Sequence, residues 1–322
     1  MQIVILDAHV TSPDNPGWDG LKQYGHVEIY DRTAPQDTVR RLRDADIALT
    51  NKVCIGADEI AQLPKLRYIG VIATGYNVVD TDAAHRRGIV VTNVPAYSTM
   101  SVAQCVFAHL LNITNQVEQH SQLVNLGEWE SCSDFCFFSP TLQELDGLTM
   151  GIVGLGCIGT AVARIAASFG MHVLALSSKS QEQLRAMGIS KARDIDHLFS
   201  TSDVLSLHCP LTPDTHHIVN ARTLALMKPT AILINTGRGP LVDEQALADA
   251  LNSGQIHAAG LDVLAQEPPI DDSPLIGATN CHITPHTAWA TRAARRRLID
   301  TVVDNVRAFI AGKPRNVLLS DK

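Results

Sequence analysis

MGIVGLGCIG, residues 150–159, runs from an apolar strand pattern into a glycine-rich turn, and Ala161 to Phe169 continues it as a helical pattern. In that setting each glycine has its own physical use. Gly154 permits the tight turn, Gly156 lets backbone amides approach a pyrophosphate, and Gly159 lets the helix pack closely on the strand. Cys157 and Ile158 complete the loop. A G-x-G-x-x-G string alone is weak evidence, but between a strand and a helix it predicts a dinucleotide site.

The surrounding pattern extends this reading. Six strands are expected at Met150 to Val153, His172 to Leu176, Val204 to Leu207, Ala231 to Asn235, Ala258 to Leu261 and Cys281 to Thr284, with helical patterns between most of them. That alternation suits a doubly wound nucleotide-binding sheet. Upstream, strands are expected at Gln2 to Leu6, Ile47 to Thr50, Leu66 to Ala73 and Ile89 to Thr92, with helices at Gln36 to Arg43 and Asp80 to Arg86. Pro95 breaks the series, and one long helix is expected from Ser98 to about Leu126. A last helix from about Trp289 to Ala311 is ended by Gly312 and Pro314. The fold class is α/β with parallel sheets, and 322 residues at about 150 per domain suit two domains.

Composition excludes several function classes. The chain is 45% hydrophobic and 18% charged, which permits a well-buried core. Its net charge of −7 argues against non-specific nucleic-acid binding, and the one basic cluster, Arg292 with Arg295 to Arg297, reads as the solvated face of a helix. The seven cysteines show no pairing rhythm and no zinc-site spacing, so reduced thiols in the cytoplasm and no metal site are expected. Met1 leads into a short apolar strand and then Asp7, so no secretory leader is expected. No apolar run reaches the ~18 residues of a membrane span. A loop carrying Trp129, Phe135, Phe137 and Phe138 reads either as core or as an association patch.

A dinucleotide fold expects an acid about 20 residues past the glycines, to hold the adenosine ribose hydroxyls. Here the second strand is followed by Ser177, Ser178, Lys179 and Ser180, with no acid. Hydroxyls and a lysine accept a 2′-phosphate that an acid would repel, so the cofactor is read as NAD or NADP with a lean to NADP.

Three further segments follow expected strands: NTGRGP (235–240), GLDVLAQEP (260–268) and TPHTAW (284–289). Ligands of open α/β sheets bind beyond the strands' carboxyl ends. Arg238, Glu267 and His286 therefore can converge beside the cofactor. Carbonyl reduction, the chemistry a nicotinamide dinucleotide serves, needs a hydride on carbon and a proton on oxygen. A histidine suits the proton, a neighbouring carboxylate favours its imidazolium form, and a guanidinium grips a carboxylate bidentately. The hydride is the cofactor's contribution.

On these motifs the chain resembles the D-isomer-specific 2-hydroxyacid dehydrogenases over nearly its whole length. The resemblance implies that Arg238 clamps the substrate, His286 is the general acid–base, Glu267 pairs with it, and Asp262 sits near the nicotinamide amide. CPLTP (209–213) resembles the family's loop over the cofactor, so His208, Cys209 and Pro210, with Thr236, are further cofactor candidates. ATGYNVVD (73–80) resembles the loop whose amides bind the substrate carboxylate, which makes Thr74 and Gly75 substrate candidates. Tyr76 and Asn77 there, and HTAW (286–289), resemble the branch of glycerate dehydrogenases and hydroxypyruvate reductases, in which Trp289 borders the substrate.

The implied activity is hydride transfer between NAD(P)H and hydroxypyruvate or glyoxylate. Phosphoglycerate, lactate or a bulkier keto acid is the alternative substrate. The alternative of another class is a non-catalytic, dinucleotide-sensing, corepressor-like protein. The resemblance also implies a Rossmann domain, residues 98–289, inserted into a flavodoxin-like substrate domain made of residues 1–97 and 290–322. A homodimer through residues 98–138 is implied as well.

Overall fold

A computed structural model describes residues 1–12, 17–269 and 273–319. The chain divides into two compact units, one made of Met1–Ser98 with Trp289–Lys322 and the other of Thr99–Ala288. The last three residues of the chain lie outside the described set.

In the first unit, strands β1 (Gln2–Ile5), β2 (His26–Ile29), β3 (Ile47–Thr50), β4 (Tyr68–Val71) and β5 (Val90–Thr92) form a parallel sheet in the order β2-β1-β3-β4-β5. This is the flavodoxin-like order. The strands read as unbroken apolar runs because both faces are covered. Ile3, Ile5, Ile47, Leu49 and Tyr68 face the helix Arg292–Ile310, meeting its Leu298, Ile299 and Val302. Val4, Leu6, Ala48, Ile69 and Val71 face the opposite layer, with Leu42, Ile60 and Ala84.

The second unit holds seven parallel strands: β6 (Thr149–Val153), β7 (His172–Leu176), β8 (Ser190–Lys191), β9 (Val204–Leu207), β10 (Ile232–Asn235), β11 (Ala258–Leu261) and β12 (Cys281–Ile283). Their order is β12-β11-β10-β9-β6-β7-β8. Counted from β6 this is the Rossmann order with one strand added, and the direction of winding reverses between β6 and β9. Met150, Ile152, Val204, Ile232 and Ile234 pack towards the helices Thr99–Asn115 and Cys157–Ser168. Val153, Leu205, Leu207, Leu233 and Leu261 pack on the other face.

Strand register aligns the carboxyl ends of this sheet. Val153 pairs with Leu207, Leu207 with Asn235, Asn235 with Leu261 and Leu261 with Ile283. The next residues, Gly154, His208, Thr236, Asp262 and Thr284, therefore leave the sheet in one row.

The structure corrects the sequence reading in three places. The nucleotide sheet has seven strands rather than six, because β8 is a two-residue edge strand with no apolar run. β2 was not expected either, since its HVEI sequence is only half buried at the sheet edge. The long helix is two, Thr99–Asn115 and Val117–Asn125, broken at Gln116, which has φ +50°. Neither glycine nor proline marks that break. Tertiary contacts hold it: Gln116 Nε2 donates to Thr141, and the Gln143 amide donates to the Thr114 carbonyl.

Helix Thr99–Asn115 crosses β11 at a glycine: a Cβ on Gly260 would lie 2.7 Å from the Cβ of His109. Gly260→Ala is expected to destabilise the protein by about 1–3 kcal/mol through overpacking. In urea unfolding this should lower the midpoint without changing the slope.

Candidate active site

The glycine turn is built as three different environments. Gly154 has φ +89°, and a Cβ there would lie 2.7 Å from the Cys209 amide nitrogen, so only glycine lets the His208–Cys209 backbone pass. A Cβ on Gly159 would lie 2.2 Å from the Gly154 carbonyl oxygen, which fixes how closely the helix approaches the turn. Around Gly156 there is open space, with nothing within 4 Å of the Cβ position. Gly156 also begins the helix Cys157–Ser168 with no side-chain cap, so its first amides are left for an anion. This cradle lies where the sheet reverses direction and fits a dinucleotide pyrophosphate. Cys157 is exposed at its rim and Ile158 is half-buried.

Past β7, the Lys179 amide donates to Ser177 Oγ at 3.2 Å and closes a small turn with Ser178 at its exposed tip. Lys191 on β8 reaches this turn and donates from Nζ to the Lys179 carbonyl at 2.8 Å. The sequence reading missed Lys191, because its strand carried no recognisable pattern.

At the other end of the row, His286 Nδ1 lies 2.6 Å from Glu267 Oε2. Both side chains are about one-third exposed, at 31% and 35%, so the pair is reachable from solvent. Glu267 Oε1 accepts from the Leu264 amide at 3.1 Å, which orients the carboxylate towards the histidine. His286 itself has φ +53°, a left-handed conformation that few side chains adopt. Its amide donates to the carbonyls of Asp262 and Thr284, at 2.8 and 2.9 Å, which holds it there.

Asp262 organises this loop. Only 1% exposed, its carboxylate accepts from Thr284 Oγ1 at 2.6 Å and from the amides of Thr287 and Ala288, each at 2.8 Å. The loop that presents His286 is thus wrapped around one buried charge whose donors all come from the loop. Thr284 and His109 are joined by a 3.1 Å contact; Thr284 opens the TPHTAW segment but was given no role from the sequence, and His109 lies in no recognised motif.

Arg238 is exposed, and its Nη1 donates to the Gly237 carbonyl at 2.8 Å. Asn235 shapes the turn beneath it, donating to the Arg238 carbonyl and accepting from the Gly237 amide. A Cβ on Gly239 would collide with the Leu264 carbonyl, so the Arg238 turn packs directly on the loop that carries Glu267. Thr236 Oγ1 is buried and has no hydrogen-bond partner among the described residues. His208 Nε2 contacts Ser206 Oγ at 2.8 Å, and Pro210 follows Cys209 as an exposed loop residue.

Three other candidates, Thr74, Gly75 and Trp289, belong to the first unit. Thr74 is exposed; its hydroxyl donates to the Val94 carbonyl and its own carbonyl accepts from Asn93, which stabilises the turn at Gly75. Trp289 is partly buried against the core formed by Ile3, Ile5 and Leu298.

An open glycine turn at a helix start and a hydrogen-bonded His–Glu pair, both at the carboxyl edge of one sheet, suit a nicotinamide-dependent oxidoreductase. Comparison with known proteins narrows the class. Residues 107–288 match the profile of the D-isomer specific 2-hydroxyacid dehydrogenase, NAD binding domain. The chain is 46% identical over 321 residues to a hydroxypyruvate reductase of Blautia hydrogenotrophica, covering 99% of each chain. It is 43% identical over 286 residues to a glycerate dehydrogenase of Methylorubrum extorquens, covering 88% of each. A solved D-lactate dehydrogenase of Aquifex aeolicus, complexed with NAD and lactic acid, superposes with a TM-score of 0.83 at 30% identity, covering 97% of this chain and 96% of that one. The chain belongs to the D-isomer-specific 2-hydroxyacid dehydrogenases, and it is an NAD(P)-dependent oxidoreductase that transfers hydride between the cofactor and a D-2-hydroxy acid. No helix among the described residues is long and apolar enough to cross a membrane.

Burial pushes His208 down from its ordinary 6.5 to about 4. The unfolded chain then takes up this proton at a higher pH than the folded one does. The associated stability is fully present above pH 6.5 and is lost as pH falls towards 4. His208→Gln, which keeps a partner for Ser206, is expected to flatten the loss. Urea midpoints between pH 7 and pH 5 measure it; an unchanged acid slope would assign the loss to other groups.

Proposed function

We propose that this protein reduces hydroxypyruvate, and glyoxylate with it, to the D-2-hydroxy acids, with His286 as proton donor. The observation that carries the mechanism is the 2.6 Å pair of His286 Nδ1 and Glu267 Oε2. With Nδ1–H committed to the carboxylate, the imidazolium has its Nε2–H free to give to the substrate's carbonyl oxygen. After the transfer a neutral imidazole remains, still donating from Nδ1 to Glu267. Arg238 takes the substrate carboxylate through two parallel N–H groups and polarises the adjacent carbonyl. When bound, the reduced nicotinamide supplies the hydride for the keto carbon.

Gly154, Gly156, Cys157, Ile158 and Gly159 are assigned to the pyrophosphate. His208, Cys209, Pro210 and Thr236 are assigned to the remainder of the cofactor, and Asp262 to its nicotinamide side. Thr74, Gly75 and Trp289 keep the substrate role that the resemblance implies, with residues 1–97 and 290–322 as the substrate domain and 98–289 as the cofactor domain. The names of the Blautia and Methylorubrum relatives support the choice of substrate. NADPH is the preferred cofactor in this reading. Ser177, Ser178 and Lys179 stand where an acid would repel a 2′-phosphate, and the second ammonium, that of Lys191, adds to the field there.

A panel of hydroxypyruvate, glyoxylate, pyruvate and phosphohydroxypyruvate against NADH and NADPH tests both choices. Hydroxypyruvate with NADPH should give the highest kcat/KM, and Ser177→Asp should shift preference towards NADH by about tenfold or more. His286→Ala should lose at least about 10²-fold in kcat while cofactor binding persists, and Arg238→Gln should raise the keto-acid KM and lower kcat. Near-normal turnover of His286→Ala would sink the assignment. Tight cofactor binding without turnover of any 2-keto acid would favour the sensing reading.

We also propose a cytoplasmic homodimer. Seven free thiols support the compartment. The segment around residues 117–138 supports the dimer: Leu126, Phe135 and Phe138 are 77%, 90% and 69% exposed, beside exposed Trp129. Sedimentation should give twice the chain mass, and Phe135→Ser with Phe138→Ser should give monomers; a wild-type monomer would refute the dimer.

A further inference from the structure

Helix Thr99–Asn115 carries a buried histidine that the proposed reaction does not use. His109 is 6% exposed and lies against the backbone of β11 at Gly260. Its Nε2 is 3.1 Å from Thr284 Oγ1, and Thr284 Oγ1 is 2.6 Å from Asp262 Oδ1. These two contacts fix the protons. Thr284 has one hydroxyl proton, and at 2.6 Å from a carboxylate that proton goes to Asp262. The longer contact must then be donated by His109, from Nε2–H to the threonine oxygen. Burial lowers the proton affinity of His109, as does His282, against an opposing pull from Asp262. The neutral ring therefore has one N–H, and the geometry places it on Nε2. The thiol of Cys105 also meets the Thr284 hydroxyl; burial and Asp262 push it up to about 11, so it stays protonated, adds no charge and leaves the Thr284 proton with Asp262.

We propose that His109 is a positioning residue for the proton donor His286, acting through Thr284 and Asp262. Its N–H fixes the direction of the Thr284 hydroxyl, and that hydroxyl holds one oxygen of Asp262. Around the same carboxylate close the amides of Thr287 and Ala288, while the Asp262 carbonyl takes the amide of His286. Three links thus run from a helix in the protein core to the loop that aims the imidazole. A general acid displaced by about 1 Å loses up to about 10² in rate, so a loosened anchor reads out in kcat. The inference rests on the catalytic role proposed for His286.

The test compares His109→Leu, which removes the donor, with His109→Gln, whose side-chain N–H stands the same number of bonds from Cβ. Thr284→Val and the double variant His109→Leu/Thr284→Val complete the set. His109→Leu is expected to lower kcat for keto-acid reduction about tenfold, with the KM values and the cofactor Kd within about twofold. His109→Gln should recover at least half of wild-type kcat. The double variant should be no slower than Thr284→Val, because the two residues act in series. Hydrogen exchange of the segment 284–289 should quicken in His109→Leu while that of β6 and β9 does not.

Three outcomes would overturn the proposal: His109→Leu within twofold of wild-type kcat, His109→Gln as slow as His109→Leu, or multiplicative losses in the double variant. Should His109→Leu fail to fold, the comparison of His109→Gln with His109→Met, of similar length but without the N–H, decides at the same readouts. A wild type without turnover would refute the proposed function, and the exchange of segment 284–289 would then decide the anchoring separately.

Discussion

One buried carboxylate governs the loop that presents His286. A carboxylate such as that of Asp262 is expensive to remove from water unless its lone pairs are filled. Here they are filled by Thr284, Thr287 and Ala288, all from the stretch that presents His286. The requirement to satisfy that charge is what bends the chain tightly enough for His286 to sit at φ +53°. Left-handed backbone at a non-glycine residue costs of order 1–3 kcal/mol and persists only where the surroundings overdetermine it. The loop's hydrogen bonds supply that determination, and they leave the imidazole ring free to pair with Glu267.

The same economy of space appears on the cofactor side. The sheet reverses direction between β6 and β9, and there the His208–Cys209 backbone runs against Gly154 too closely for any side chain. Gly159 serves the packing of the helix, and Gly156 alone faces open space. Two of the three glycines are therefore fixed by close contacts within the chain, and the third borders open space. Two of the thiols on this sheet are kept unreactive: burial raises Cys209, and burial with the nearby Glu244 pushes Cys281 up to about 12.

Much of this was legible in the sequence, for identifiable reasons. Central strands such as β4 and β10 are covered on both faces, so they appear as unbroken apolar runs. The glycine turn stood out by its strand–turn–helix setting, and the segments carrying Arg238, Glu267 and His286 by their places after apolar runs and their joint resemblance to one family's motifs. Features at the margins were not legible. β2 and β8 lie at sheet edges and carry little apolar signal. The break at Gln116 is imposed by contacts with Thr141 and Gln143, far along the chain. Lys191 and His109 matter through contacts between distant segments, Lys191 with the turn at Lys179 and His109 with Thr284. A pattern read along one segment cannot contain a contact that needs two.

The common register of the strand ends has a consequence for how such a chain tolerates change. Gly154, His208, Thr236, Asp262 and Thr284 are each the first residue beyond a strand locked to its neighbours. Their relative heights are set by the ladder, not by the length of the helices and loops that lead back to the next strand. Residues inserted or deleted in those return segments, on the remote side of the sheet, leave the row in step. A single-residue slip within any one strand, by contrast, would move its end residue out of line with the others.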